Sequence, residues 1–141
     1  MKRPRLLIEN WLPAAAIGVE CIRERSTGQQ PPDKRLHVWW ARRPLVASRV
    51  AVPGLLLPAD FPRDVFERVL GFGRPGNELV DVRRLMDTGY RVPGGFNCDR
   101  AFKSAIRDDD LAKAHAAAKA LWDDDIAVID PMAGGGSIPL G

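Results

Sequence analysis

Two stretches of this 141-residue chain combine residue types that can do chemistry. Late in the chain, Ile126-Ala127-Val128-Ile129 is a continuously apolar run that closes on Asp130-Pro131-Met132-Ala133 and then on three consecutive glycines, Gly134 to Gly136. Earlier, His37-Val38-Trp39-Trp40-Ala41-Arg42-Arg43-Pro44-Leu45 sets two adjacent tryptophans beside two adjacent arginines. A short apolar run bounded by turn residues reads as a buried strand. Glycines directly after it let main chain approach a ligand closely, because no Cβ intervenes. A helix following the turn would aim its free N–H groups at the same place and favour an anion. Asp130, at the strand end, supplies a carboxylate that can accept hydrogen bonds from an amine.

Three ligand classes use such a turn, and the residues separate them. A phosphate-cradling loop needs Gly-Lys-Ser/Thr after its glycines. Gly136-Ser137-Ile138 has no lysine, which argues against a nucleoside triphosphate. A dinucleotide fingerprint needs G-x-G-x-x-G. Here Gly134 and Gly136 supply the first two glycines and Pro139 stands where the third belongs, which disfavours NAD. The third class is S-adenosylmethionine, whose methionine end carries both an amine and a carboxylate. Asp130 can take the amine, and the glycine N–H groups can take the polar parts. A tight structural turn with no ligand is the alternative reading.

In the second stretch, Trp39 and Trp40 can stack on bases, and Arg42 and Arg43 can contact phosphate or guanine. The alternative is a tryptophan that anchors the core beside solvated arginines.

Taken together, "HVWWARRPL" and "DPMAGGGSIPL" resemble the N-terminal region of predicted adenine-specific DNA methyltransferases, some of them linked to phage defence. The lead-in "LIENWLPAAAIGVECIRERS" is similar to that family's opening. The resemblance covers about Leu6 to Ala51 and then Ile126 to Leu140; between them the match is poor. Met132 stands where the family's turn more often has Phe, an apolar exchange. The resemblance implies that Asp130, Pro131, Ala133, Gly134 and Gly136 shape the methionine pocket of the cofactor. It implies that His37, Arg43 and Pro44 pack beside that end, and that Trp39, Trp40, Arg42 and Arg43 face the nucleic acid. It implies S-adenosylmethionine as cofactor, with DNA and the remainder of the methyltransferase domain as partners.

One departure matters. Methyl transfer in this class relies on Asn/Asp-Pro-Pro-Tyr/Phe, whose polar groups accept from the target amine and whose ring stacks on a flipped base. No such tetrapeptide occurs here, so no catalytic residue is assigned to this chain. An acidic residue for the cofactor ribose, at the end of a second strand, is also missing. Gly141 stands where the family continues with Glu, and the expectation is a truncated enzyme, inactive alone.

The elements that would position these residues are short helices. Ala14 to Arg25 reads helical after Pro13, with Ala14, Ile17 and Cys21 as a modest apolar stripe. Ser26 to Lys34 is a polar loop. Pro44 opens a helix through Val52 that Pro53-Gly54 should bend or end. Asp60-Phe61-Pro62 reads as a cap before a helix with Val65, Phe66, Val69 and Leu70 on one face, stopped by Gly71. Asn77 caps a helix through Leu79, Val82, Leu85 and Met86, closed near Gly89. Asn97 caps another carrying Ala101, Phe102, Ala105 and Ile106. Asp108-Asp109-Asp110 suits a helix start, and Leu111 to Trp122 follows, with Leu111, His115, Ala118 and Trp122 on one face. His115 reads there as a hydrogen-bonded packing residue rather than a ligand.

The fold expected is mainly α, ending in the first strand and glycine loop of an incomplete α/β Rossmann-like methyltransferase domain. Its divisions are a basic region over 1–58, a helical insert over 59–122 and the truncated methyltransferase start over 123–141. At 45% hydrophobic residues the chain can bury a core. Residues 1–49 hold ten Lys/Arg against four acids, a net +6 that suits a polyanion or a solvated surface. Two histidines and two separated cysteines offer no zinc site of the usual spacings. Two reduced thiols fit a cytoplasmic protein. Glu9, Asn10 and Pro13 interrupt the apolar start well short of a signal sequence or membrane span. The competing function is a non-enzymatic nucleic-acid-binding or adaptor domain, which needs only the basic segment and the Trp/Arg cluster.

Overall fold

The computed structural model describes residues 4–26 and 44–122, together with Ala127. Among them it is mainly helical: α1 (Leu7–Asn10), α2 (Ala14–Arg25), α3 (Leu45–Leu56), α4 (Arg63–Val69), α5 (Gly76–Asp87), a 3₁₀ turn (Ala101–Lys103) and α6 (Asp108–Trp122). No strand occurs among the described residues. Leu6 and Pro58 form an isolated antiparallel bridge, in which Leu7 N donates to Leu57 O and Ala59 N to Arg5 O. The expected strand and glycine loop lie outside the described residues, apart from Ala127.

α3 is the centre of the packing. α1, α2 and α6 all lie against it, α5 packs on α2, and α4 packs on α6. The core is built from Leu7, Val46, Val50, Leu57, Phe66, Leu70 and Leu79, all buried, with Phe66 and Leu79 fully removed from solvent. Trp11 meets Phe66 edge to face, with ring centroids 6.3 Å apart, a favoured geometry for aromatic pairs. The Arg63 guanidinium covers the outer face of Trp11 at 4.9 Å.

α2 and α6 occupy the expected ranges, and α4 ends at Gly71, whose φ of +84° only glycine adopts freely. Several expectations are corrected. Of the two outcomes expected at Pro53-Gly54, a bend or an end, the end does not occur: α3 runs on to Leu56, and Leu57 N still donates to the Pro53 carbonyl. Proline there forfeits one helical hydrogen bond. Packing offsets it: Gly54 is buried against Ile8 of α1, and Leu57 beyond it is buried. The helix expected after Asn97 is only the three-residue 3₁₀ turn, and Asn97 itself sits at φ +47°, outside any right-handed helix start.

The buried stripe of α2 is Ala16, Val19, Glu20 and Glu24, while Ala14 is exposed and Ile17 and Cys21 are half-buried. On α6 the buried residues are Asp110, Ala114 and Ala118, whereas Leu111 is 52% and Trp122 39% exposed. In both helices carboxylates with internal partners take inner positions that hydropathy alone gives to apolar residues.

The caps also differ from expectation. Neither Asp60 nor Asn77 caps a helix; Pro62 and Pro75 occupy the N-cap positions of α4 and α5 and offer no side-chain acceptor. At α5 the carboxylate of Glu67 does that work from the neighbouring helix, accepting from Gly76 N at 3.0 Å. No helix among the described residues is long and apolar enough to cross a membrane.

Candidate functional site

Of the residues singled out by sequence, His37, Trp39, Trp40, Arg42, Arg43, Asp130, Pro131, Ala133, Gly134 and Gly136 lie outside the described residues. Pro44 is described. It is buried and takes the N-cap position of α3 with φ −57° and ψ 141°. A proline offers no side-chain acceptor to the first N–H groups of the helix, which must be satisfied from elsewhere. Glu24 satisfies them. Its Oε1 accepts from Leu45 N at 3.1 Å and its Oε2 from Val46 N at 3.4 Å, with the residue fully buried. A carboxylate at this end also suits the helix dipole.

The consequence for the Trp/Arg segment is geometric. The chain leaves α2 at Arg25, immediately after Glu24, and re-enters at Pro44, immediately before the two N–H groups that Glu24 holds. One side chain therefore closes the stem of the segment that carries His37 to Arg43. The same carboxylate takes two of the N–H groups at the start of α3, so an anionic ligand would have to displace it to use them.

A second set of polar groups braces this stem. Glu20, buried one turn before Glu24, accepts from Ala101 N at 2.9 Å through Oε2 and from the Arg23 guanidinium through Oε1. Arg23 Nη2 donates to Cys98 O at 2.7 Å, and its guanidinium lies 4.3 Å from the centroid of Phe96. From α3, Arg49 Nη1 donates to Ala101 O at 2.8 Å. Burial lowers the Arg49 pKa, and the nearby charge of Glu24 works against that shift. The Nε of Arg49 is buried with no hydrogen-bond partner among the described residues, where its desolvation is a cost. Buried carboxylates and guanidiniums thus tie α2, α3 and residues 98–101 into one body. The i, i+4 carboxylates of Glu20 and Glu24, with Arg23 between them, were the sequence signal for it; an apolar-stripe reading of α2 passes over them.

A third carboxylate, Asp110, is buried at the start of α6 and accepts from Arg68 Nε at 2.9 Å and Nη2 at 3.1 Å. That two-pronged bond holds its pKa below the usual carboxylate range and raises that of Arg68. It is a brace between α4 and α6.

Between α3 and α6 an aliphatic cavity of about 300 Å³ opens, edged by Ser48, Arg49 and His115. His115 is exposed at its mouth, not packed inside as the helix face suggested. Cys21 and Cys98 are thiols, both half-buried. Among the described residues no three His, Cys, Asp or Glu side chains are grouped to hold a metal ion.

Residues 11–69 match the model of a family described as a protein of unknown function, DUF1156. The match runs from Trp11 to the end of α4 and takes in Glu20, Glu24, Pro44 and Arg49 as well as the Trp/Arg segment. Neither a curated protein nor a solved structure matches the chain.

Proposed function

We propose that this chain is the N-terminal part of an S-adenosylmethionine-dependent DNA methyltransferase acting on adenine N6, carrying cofactor-binding residues and no catalytic motif. The observation that supports this most is the pairing of "HVWWARRPL" with "DPMAGGGSIPL", two uncommon strings that occur in that order in the family they resemble. In this reading Asp130 accepts from the cofactor's amine, and Pro131, Ala133, Gly134 and Gly136 leave bare main chain against its methionine end. His37, Arg43 and Pro44 stand beside it. Trp39, Trp40 and Arg42 serve the nucleic acid, with Arg43 shared between the two. The buried cap of Pro44 and the Glu24 clamp suit such a role, since both set where the His37–Arg43 segment joins the helical body.

Calorimetric titration of the chain with S-adenosylmethionine tests the reading. Only one wall of the cofactor site is present in these residues, so weak binding and negligible methyl transfer are expected. Tight binding by the chain, or binding that survives Asp130→Ala unchanged, contradicts it. The adaptor reading is favoured by one observation, the +6 charge of residues 1–49. It predicts salt-sensitive DNA binding that is lost in the Arg42→Ala, Arg43→Ala double variant, with no cofactor binding at all.

A further inference from the structure

The stretch from the end of α5 to the start of α6 carries charge that neither signature accounts for. Residues 83–107 hold six cations, Arg83, Arg84, Arg91, Arg100, Lys103 and Arg107, against two acids, Asp87 and Asp99, a net +4. The other described residues hold nine cations against eleven acids, a net −2. Two of these cations meet acids outside the stretch, Arg84 with Asp81 and Arg107 with Asp110, so the surplus rests on the others.

This stretch borders an open bowl of about 680 Å³, lined in part by Arg23, Ser26, Arg83, Phe96, Asn97 and Arg100. Its wall is held in shape. Gly94, Gly95 and Asn97 have φ of +71°, +60° and +47°, left-handed conformations that turn the chain sharply. Arg23 pins it from beneath through Cys98 O and the ring of Phe96, with Glu20 offsetting its charge from the buried side.

Arg83 and Arg100 are half-buried in the wall of the bowl, whereas Arg84, Arg91, Lys103 and Arg107 are exposed. Arg83 pairs with Asp87 at 2.8 Å, but the two side chains are 35% and 55% exposed, and a pair so placed is worth little, so a phosphate can take the place of Asp87 at small cost. Arg100 Nη2 donates to Ser26 Oγ at 2.7 Å, one of its contacts. Asp99 also lines the bowl and opposes an anion, one carboxylate among three guanidiniums. Arg91 is exposed in the same loop.

We propose that this bowl and its loop form a second contact surface for the phosphate backbone of duplex DNA, in addition to Arg42 and Arg43. The proposal rests on the methyltransferase reading for the identity of the polyanion. The surface has the features of a backbone contact, which positions a protein on the duplex without reading sequence.

The test is fluorescence polarisation of a short duplex titrated with the full chain across a salt series. Three proteins are compared: the unmodified chain, the Arg83→Gln, Arg91→Gln, Arg100→Gln triple variant, and Arg91→Gln alone. The triple variant should lose about tenfold or more in affinity at moderate salt, and its log–log salt slope should fall by about 2 to 3, near one for each phosphate contact removed. Arg91 is exposed, so its single variant keeps the fold and should lower the slope by about 1. Affinity and slope unchanged in both variants, or no duplex binding by the unmodified chain, overturn the proposal. S-adenosylmethionine titration of the same samples reports the methyltransferase reading separately. Cofactor binding with an unmoved salt slope sinks the surface and spares the enzyme reading; a reduced slope without cofactor binding does the reverse.

Discussion

Replacing Glu24 by alanine should do more damage than its single side chain suggests. The carboxylate is fully buried and accepts from Leu45 N and Val46 N, both on buried residues at the start of α3. Loss of an N-terminal cap costs about 0.5–2 kcal/mol. Buried donors left without an acceptor cost about 1–3 kcal/mol more, reduced by any water that enters. Arg49 loses the negative charge that works against its burial. The sum expected for Glu24→Ala is about 3 kcal/mol, or a drop in Tm of roughly 10 °C for a chain of this size. Glu24→Gln keeps the shape and one acceptor oxygen but turns an amide NH₂ toward the other N–H, leaving one buried donor unpaired, and should cost about 1–3 kcal/mol. Urea titration followed by far-UV circular dichroism measures both, with the midpoint moving and the slope constant if the folded state alone is affected. An alanine variant within about 1 kcal/mol of the unmodified chain would refute the clamp. The clamp also joins the two ends of the Trp/Arg segment, so Glu24→Ala should weaken whatever that segment binds before the protein unfolds.

Other outcomes follow from the same packing. Phe66→Ala should destabilise by about 3–5 kcal/mol, whereas Leu111→Ala, on a residue 52% exposed, should stay within about 0.5 kcal/mol in the same urea assay. Gly18→Ala should raise stability by about 0.5–1 kcal/mol, since a Cβ there meets nothing within 4 Å and the residue is inside α2. Gly71→Ala should lower Tm clearly, because φ is +84° and the new Cβ would lie 2.4 Å from the Ala101 carbonyl oxygen. The Asp110 carboxyl, held low mainly by its hydrogen bonds to Arg68, contributes stability in full above the ordinary aspartate pKa of about 3.9 and loses it as pH falls through the lower folded value. The Tm deficit of Asp110→Asn should therefore be constant near neutrality and shrink below about pH 4.

Much of the helical layout was legible because apolar spacing and stop residues agreed: Val65, Phe66, Val69 and Leu70 before Gly71, or three aspartates before an alanine-rich run. What could not be read was which helix satisfies another helix's end. Glu67 serves Gly76 and Glu24 serves Leu45, so a cap sought in the adjacent sequence, at Asn77 or Asp60, was sought in the wrong place. Pro53 misled for a related reason: its local penalty is real, but Gly54 and Leu57 have packing partners in α1 and the core that a local rule does not see. The buried positions of α2 and α6 were misplaced because Glu20, Glu24 and Asp110 count as surface residues until their guanidinium and backbone partners are known. Of the two strings proposed for the site only Pro44 and Leu45 and, apart from them, Ala127 lie among the described residues, and what the structure adds is the Glu24 clamp at Leu45 and Val46. The basic loop of residues 83–107 escaped notice because a count over the whole remainder of the chain averaged it with the acidic start of α6.

The central claim is that Asp130 and the bare main chain of Gly134 to Gly136 receive the methionine end of S-adenosylmethionine. The most direct measurement is a ¹⁵N–¹H spectrum of the full chain titrated with the cofactor, which registers weak binding residue by residue. The account predicts saturable shifts at the Gly134, Gly135 and Gly136 amides that vanish in Asp130→Ala and are not reproduced by ATP. Unmoved glycine amides, or the same shifts with ATP, would contradict it.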